Sequence, residues 1–291
     1  MSDSDRVFNI INNICLGIVF ILVVYPIYFI VIASFSDPNY VSQGNVWLVP
    51  MGANLEGYKS IFKDPVILTG YKNSIVYTSV GTFINITVTI LAGYALSRKD
   101  LVGRNAFMFL FTFTMFFSGG LIPTYLVVRK LGLINKIWAL VLPNALSVYY
   151  LIIARTFFIS NIPEELREAA VIDGCTNTRF FVSVVLPLSK AIVSVLSLFY
   201  AVVHWNSFFN AMIYIRDEDK YPLQFILRGI LLENEMRESM TQTIGDASDI
   251  QNKADMIKYG VIIVASLPVL IAYPFAQRYF IKGMMIGSIK G

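Results

Sequence analysis

Residues 7–36 read VFNIINNICLGIVFILVVYPIYFIVIASFS and contain no Asp, Glu, Lys or Arg. A helix needs about 20 consecutive apolar residues to cross the hydrocarbon core of a bilayer. This stretch exceeds that length. It is too long for the hydrophobic region of a secretory signal, it lacks an Ala-x-Ala cleavage site, and only Arg6 precedes it at close range. It therefore reads as a retained first membrane span. The same test finds five further charge-free stretches, at 73–97, 105–128, 137–154, 191–215 and 259–277. The shortest, 137–154, reaches an interface through Trp138. Each span is expected to be helical, because lipid offers no hydrogen bonds to backbone groups.

Composition agrees. Of the 291 residues, 56% are hydrophobic and 14% charged, and the mean hydropathy is +0.64. Soluble domains carry roughly 25% charged residues. The net charge of +4 is small and the basic residues do not gather into a nucleic-acid patch. Cys15 and Cys175 lie far apart in sequence and His204 is the one histidine, so disulfide, metal and histidine-based catalytic chemistry are poorly supplied. The fold expected is an all-α membrane protein with six transmembrane helices. The spans fall at about 12–35, 73–97, 105–128, 136–155, 190–214 and 258–280, within a single transmembrane domain covering 1–291.

The connection 98–104 is basic, as is the tail with Arg278, Lys282 and Lys290. The positive-inside rule places both in the cytoplasm, and with them both termini. Arg129, Lys130 and Lys136 then occupy a short outer loop. Residues 37–72 and 216–257 form longer outer loops, and 160–188 a cytoplasmic loop long enough for two short helices.

That cytoplasmic loop reads IPEELREAAVIDG over 162–174 and continues to VVLP at 184–187. Pro163 suits a first helical turn, and Ser160 or Asn161 could cap it. Glu164 and Glu165 complement the helix dipole. Leu166, Ala169, Ala170 and Asp173 share a face. Gly174 suits a left-handed stop, and Thr176 or Asn177 a new start. A rigid helix with small residues on one face could dock another protein closely, or could be an ordinary amphipathic connection.

The loop resembles the EAA coupling loop of ABC importer permeases. Glu168, Ala169, Ala170, Gly174, Leu186 and Pro187 match that motif in register, and Val184 stands where it has isoleucine. The rest of the chain resembles the carbohydrate permeases of the maltose type. Residues 119–125 (GGLIPTY), 131–133 (LGL), Trp138-Ala139, Trp205-Asn206 and 221–224 (YPLQ) resemble the branch that serves complex oligosaccharides. The resemblance implies a type I ABC importer permease bundle in a bacterial cytoplasmic membrane. It implies a second related permease, an ATPase homodimer docked on the EAA loop, and an extracellular or periplasmic solute-binding protein. It implies no cofactor in this chain, with ATP bound by the partner ATPase subunits.

His204, Trp205 and Asn206 are polar or amphipathic groups inside the fifth span. They fit either a pore lining that meets sugar hydroxyls or glue between helices. Gly81, Gly93, Ala92 and Asn85 read as close helix packing, and Arg155 and Lys190 as side chains reaching the inner membrane surface. Residues 221–232 are apolar but short, and Arg228 interrupts them. They read as an interfacial segment in which Tyr221, Gln224 and Arg228 contact the binding protein, or as a surface helix.

Two other classes are less well supplied. An ion-coupled secondary transporter usually carries buried carboxylates, and no span has one. A membrane enzyme needs a catalytic constellation that one histidine does not make. No phosphate-binding Gly-x-x-x-x-Gly-Lys-Ser/Thr occurs, so ATP is expected to belong to another chain. A permease of the same type for a different solute remains the alternative.

Overall fold

The computed structural model describes residues 3–241, 257–274 and 277. Helices and connecting turns make up the described residues, with no strand among them. The chain divides into two compact units, one of residues 1–68 with 226–267 and one of residues 69–225 with 268–291.

In the first unit, α1 (Asp3–Ser34) leaves nearly every side chain from Arg6 to Tyr28 exposed. Such an apolar cylinder is stable only in lipid or against another apolar chain. Its last turn is buried at Ile32, Ala33 and Ser34. The Tyr58 hydroxyl donates to Ser34 Oγ at 2.7 Å, which fastens α3 (Glu56–Lys63) to it. Between them lies the short α2 (Pro38–Ser42), capped by Asp37.

The second unit holds most of the remaining spans. The long α4 (Pro65–Ser97) is a continuous helix, as expected of the second span. The next three spans are not continuous. α5 (Arg104–Phe116) and α6 (Leu121–Lys130) meet at 115°. Gly120 makes that corner at φ +83 and ψ −177, a conformation open only to glycine. α7 (Ile137–Val141) runs through a 3₁₀ turn at Leu142–Asn144 into α8 (Val148–Asn161), with a bend of 54°. After α9 (Glu164–Ile172) come α10 (Asn177–Phe180), a π turn at Phe181–Val185 and α11 (Leu186–Leu188). That stretch bends by 76° into α12 (Lys190–Trp205), and α13 (Phe209–Tyr214) follows a second break. α14 (Leu223–Thr241) and α15 (Ile257–Pro274) complete the described helices. With each bent pair counted as one span, the described residues hold six helices or pairs long and apolar enough to cross a membrane. The expected sixth span at 258–280 continues past Pro274, and its last residues, together with Arg278, Lys282, Lys290 and most of the 242–257 part of the outer loop, lie outside the described residues.

The core of the second unit joins α4, α8, α10, the π turn and α12 through Ile90, Phe158, Phe180, Val185, Leu196 and Tyr200. Glycines set the closest approaches. A Cβ on Gly81 would stand 2.5 Å from His204 Nε2, and one on Gly93 2.9 Å from the Cβ of Ala154. Both positions therefore serve packing, as their sequence context suggests.

The 215–223 turn is tied down by side chains from elsewhere. Asn135 holds φ +63, a conformation that L-residues with larger side chains avoid. Its own N–H donates to the Tyr214 carbonyl at 2.8 Å, and its Oδ1 accepts from the backbone of Arg216 and Asp217 at 3.1 and 3.2 Å. Its Nδ2 donates to the Asp217 carboxylate at 2.6 Å, which also receives Lys220 Nζ at 2.6 Å. From α4, Asn73 donates to the carbonyls of Asp219 and Tyr221, Tyr77 to that of Lys220, and Ser74 Oγ accepts the Leu223 N–H at 2.8 Å. Asn135→Ala removes the side-chain bonds and adds left-handed strain. It should destabilise the purified protein by about 2–3 kcal/mol, and Asn135→Gly by less, because glycine keeps the backbone geometry. Thermal unfolding in detergent reads both, and equal losses would remove the strain argument.

Candidate coupling surface and pathway residues

α9 stands out from the core on a rigid stem. The chain enters through Pro163, and Glu164 and Glu165 lie in the first turn. Ser160 and Asn161 do not cap this helix. They belong to α8, where Asn161 Nδ2 donates back to the Phe157 carbonyl, and Pro163 holds the cap position without a side-chain bond. The exit follows the expected stop. Gly174 has φ +71, its N–H donates to the Val171 carbonyl at 3.0 Å, and the Cys175 N–H reaches the Ala170 carbonyl at 2.8 Å. These two bonds are those of a Schellman stop. Thr176 then caps α10 by accepting the Arg179 N–H.

The helix faces are now assigned. Ala170 and Cys175 pack on the core, with Val184 and Ile162 beside them. Glu168, Ala169, Gly174, Leu186 and Pro187 are exposed. Leu166 and Val171 are exposed as well, and Ile172 is 86% exposed. The single face expected for Leu166, Ala169, Ala170 and Asp173 is therefore split, with Ala170 inward and its apolar neighbours outward. Of the motif residues, five are exposed, and Ala170 packs on the core.

An ion network fixes the stem. Arg98, just after α4, makes two bonds to the Asp100 carboxylate at 2.8 and 2.5 Å and a third to Asn177 Oδ1 at 2.9 Å. Arg167 on α9 pairs with Glu164 at 2.5 Å and approaches Asp100 at 3.8 Å. The paired Asp100 holds the Arg98 guanidinium above its usual range, and Arg98 holds the Asp100 carboxyl below its ordinary value of 3.8. Because Asp100 is lowered, what its ion pair contributes is present above the unfolded value and is lost only as pH falls through the lower, folded one. The Arg98–Asp100 pair is thus charged at neutral pH. Arg155 meets the end of α4. Its Nε caps the α4 carbonyl of Leu96 at 3.1 Å.

The fifth-span residues separate. His204 Nε2 lies 2.6 Å from Asn85 Oδ1, and Asn85 Nδ2 donates to the Asn144 carbonyl at 2.7 Å. Since the Asn85 amide donates to that carbonyl, its oxygen must accept, so Nε2 of His204 carries the hydrogen. Trp205 is 5% exposed, with its ring 5.6 Å from Tyr71 in an edge arrangement. Asn206 is exposed, but its amide donates to the Val202 carbonyl and ends α12. His204 and Trp205 both contact α4, and His204 in addition borders a cavity of about 360 Å³ between α4, α8 and α12. Tyr221 is half-buried with its ring 4.4 Å from Phe225, while Gln224 is half-buried and Arg228 exposed. The start of α14 is thus a fixed anchor, with Leu223 1% exposed.

Sequence reasoning missed Asn135, Ser74 and Tyr200. Each is an isolated polar group near a break whose partner lies far away in the chain, so spacing carries no signal for it.

No family model matches the chain. It is 41% identical over 288 residues to protein LplC of Bacillus subtilis, covering 99% of this chain and 96% of that one. It is 40% identical over 288 residues to the polygalacturonan/rhamnogalacturonan transport system permease protein YtcP of the same organism, covering 99% and 100%. The chain belongs to the carbohydrate ABC importer permeases. A crystal structure of a bacterial ABC transporter for import of the acidic polysaccharide alginate contains a chain that superposes with a TM-score of 0.87, at 32% identity, over 96% of this permease and 99% of that chain. Permeases of this kind are membrane components and not catalysts.

Gly174→Ile places a β-branched residue at φ +71 and should fray the end of α9, at a cost of about 1–2 kcal/mol. Trypsin cleavage at the exposed Arg179 should accelerate severalfold. Gly174→Asn, which tolerates this conformation, should stay near wild type. Equal rates for the two variants would show that the stop is not set by backbone geometry.

Proposed function

We propose that this permease moves an oligosaccharide inward as one half of a pair with a second, related permease. A separate ATPase homodimer docks on α9 and its flanks, through Glu168, Ala169, Gly174, Leu186 and Pro187 together with the exposed Leu166 and Ile172, while Ala170 roots the helix in the bundle. The exposed apolar end of α9 on its charged, buttressed stem is the observation that carries this reading. Leu166, Val171 and Ile172 are exposed on one short helix beside a fixed left-handed stop, an apolar group that a docked partner would cover. Closure of the ATPase dimer pushes on α9, and the stem passes the push to the C-terminal end of α4. ATP is bound by that partner, and no cofactor is assigned to this chain.

The connection 98–104 and both termini are cytoplasmic, and residues 216–257 face outward, where a solute-binding protein delivers its cargo. Charge distribution and span count support this orientation. Of the outer candidates, exposed Arg228 suits contact with the binding protein, Gln224 borders it, and Tyr221 positions the segment from behind. Oligosaccharide cargo is supported by the names of several relatives. They include the arabinooligosaccharide permease AraQ of Halalkalibacterium halodurans, 26% identical over 283 residues.

Labelled trisaccharides from pectin, arabinan, chitin and starch hydrolysates test the reading in vesicles that hold the complete complex. At least one should accumulate with ATP, and none should with this chain alone under a proton or sodium gradient. Gradient-driven uptake by the lone chain would overturn the proposal. In a background lacking Cys15 and Cys175, an impermeant thiol reagent on intact cells should label a cysteine at Asp219 and spare one at Lys99, and the reverse would invert the topology.

A further inference from the structure

Two broken spans open onto the same cavity. The α7–α8 break contributes Asn144 and Ser147, and the break after α12 contributes Ser207, with Asn210 one turn further on. A break in a membrane helix is tolerated where the freed backbone finds partners or lines a wet cavity. Here the partners are already engaged. Asn85 serves the Asn144 carbonyl, and the Tyr200 hydroxyl accepts the Ser147 N–H at 3.2 Å while bonding Thr89 at 2.7 Å. The side chains of Asn144, Ser207 and Asn210 make no hydrogen bond among the described residues. They are surplus to the structural accounting.

The wall between them is aromatic. Tyr149 is 57% exposed, and behind it Tyr150 stacks on Phe199 with an interplanar angle of 20°. Among the described residues, no Asp, Glu, Lys or Arg lines the cavity. Its volume of about 360 Å³ falls within the range of roughly 300–1,000 Å³ typical of small-ligand sites. Flat apolar rings beside amides and hydroxyls suit a ligand with an apolar face and a hydroxylated edge. A carboxylate placed there would lose its hydration without a counter-charge.

We propose that this cavity is a binding site for one uncharged sugar ring of the transported glycan, held by the Tyr149 face and by the side chains of Asn144, Ser207 and Asn210. The assignment rests on the import reading above and adds to it a site within this subunit. His204 and Asn85 are positioning residues, since they hold the α8 break and α12 in register. Any acidic unit of the cargo lies outside the cavity, and a neutral ring or a neutral segment of the chain occupies it.

The test uses the complete complex and the trisaccharide that the uptake screen identifies, in labelled form and in a diazirine-tagged form. If the screen finds no transported sugar, the import reading fails and this one with it. With transport established, Asn210→Leu and Tyr149→Leu should each lower the sugar moved per ATP hydrolysed about tenfold, the loss expected for one buried hydrogen bond or one stacking face. Tyr149→Phe, which keeps the ring, should stay within about twofold of wild type. Photolabelling should mark peptides containing Tyr149 or Asn210, and excess untagged sugar should suppress it. Labels that fall only outside these peptides, or a transport ratio unchanged in both leucine variants, would overturn the site while leaving the import reading in place.

Discussion

Asn85 bridges three elements, and the arrangement of the second unit depends on that bridge. From the middle of α4 it donates to the carbonyl of Asn144 and accepts from His204, so one buried amide, 0% exposed, joins α4 to the α8 break and to α12. The constraint behind it is that lipid satisfies no backbone group, so every interruption of a membrane helix needs a donor or acceptor from elsewhere. Tyr200 and Ser189 obey the same constraint at their own breaks. Ser189, fully buried at the 76° bend, returns its hydroxyl to the Val185 carbonyl at 2.6 Å.

Bent spans have consequences for function. The breaks after α7 and α12 both line the cavity beside His204. The bend at Ser189 turns the chain from the α9 region into α12, so the two lie on one continuous stretch. The Arg98–Asp100–Arg167 network ties the same region to the end of α4. Force applied to α9 therefore has two routes inward, one covalent through α10 and α11 and one ionic through the 98–104 connection. Exposed ion pairs contribute little stability each. Their effect here is local: one bidentate contact and Asn177 of α10 hold Arg98 from several sides, and Arg167 of α9 approaches the same carboxylate.

Much of this was legible in the sequence. Charge-free stretches coincide with the helices and bent helix pairs that are long and apolar enough to span among the described residues, because hydropathy is a direct consequence of the solvent. The motif at 168–187 marked the helix proposed to dock the ATPase, and Gly174 announced its left-handed end. The bends were harder. Gly119-Gly120 and Pro143 mark breaks only once backbone geometry is known, since helices in membranes often carry glycine and proline. The roles of His204 and Trp205 were open because a polar residue within a span reads the same whether it faces a pore or a partner helix. Asn135 and Ser74 act on backbone groups far along the chain, a pairing that no local pattern encodes. The inward turn of Ala170 depended on where the core lay, which periodicity alone does not say.

The claim at the centre of the account is that the outward end of α9 meets the ATPase. Cysteine crosslinking tests it most directly, in membranes that hold the whole complex and in a background lacking Cys15 and Cys175. A cysteine at Ile172 should crosslink efficiently to the ATPase subunit, and one at Val102, 90% exposed on the neighbouring connection, much less so. Adducts from Val102 with none from Ile172 would place the ATPase on the other connection and contradict the account.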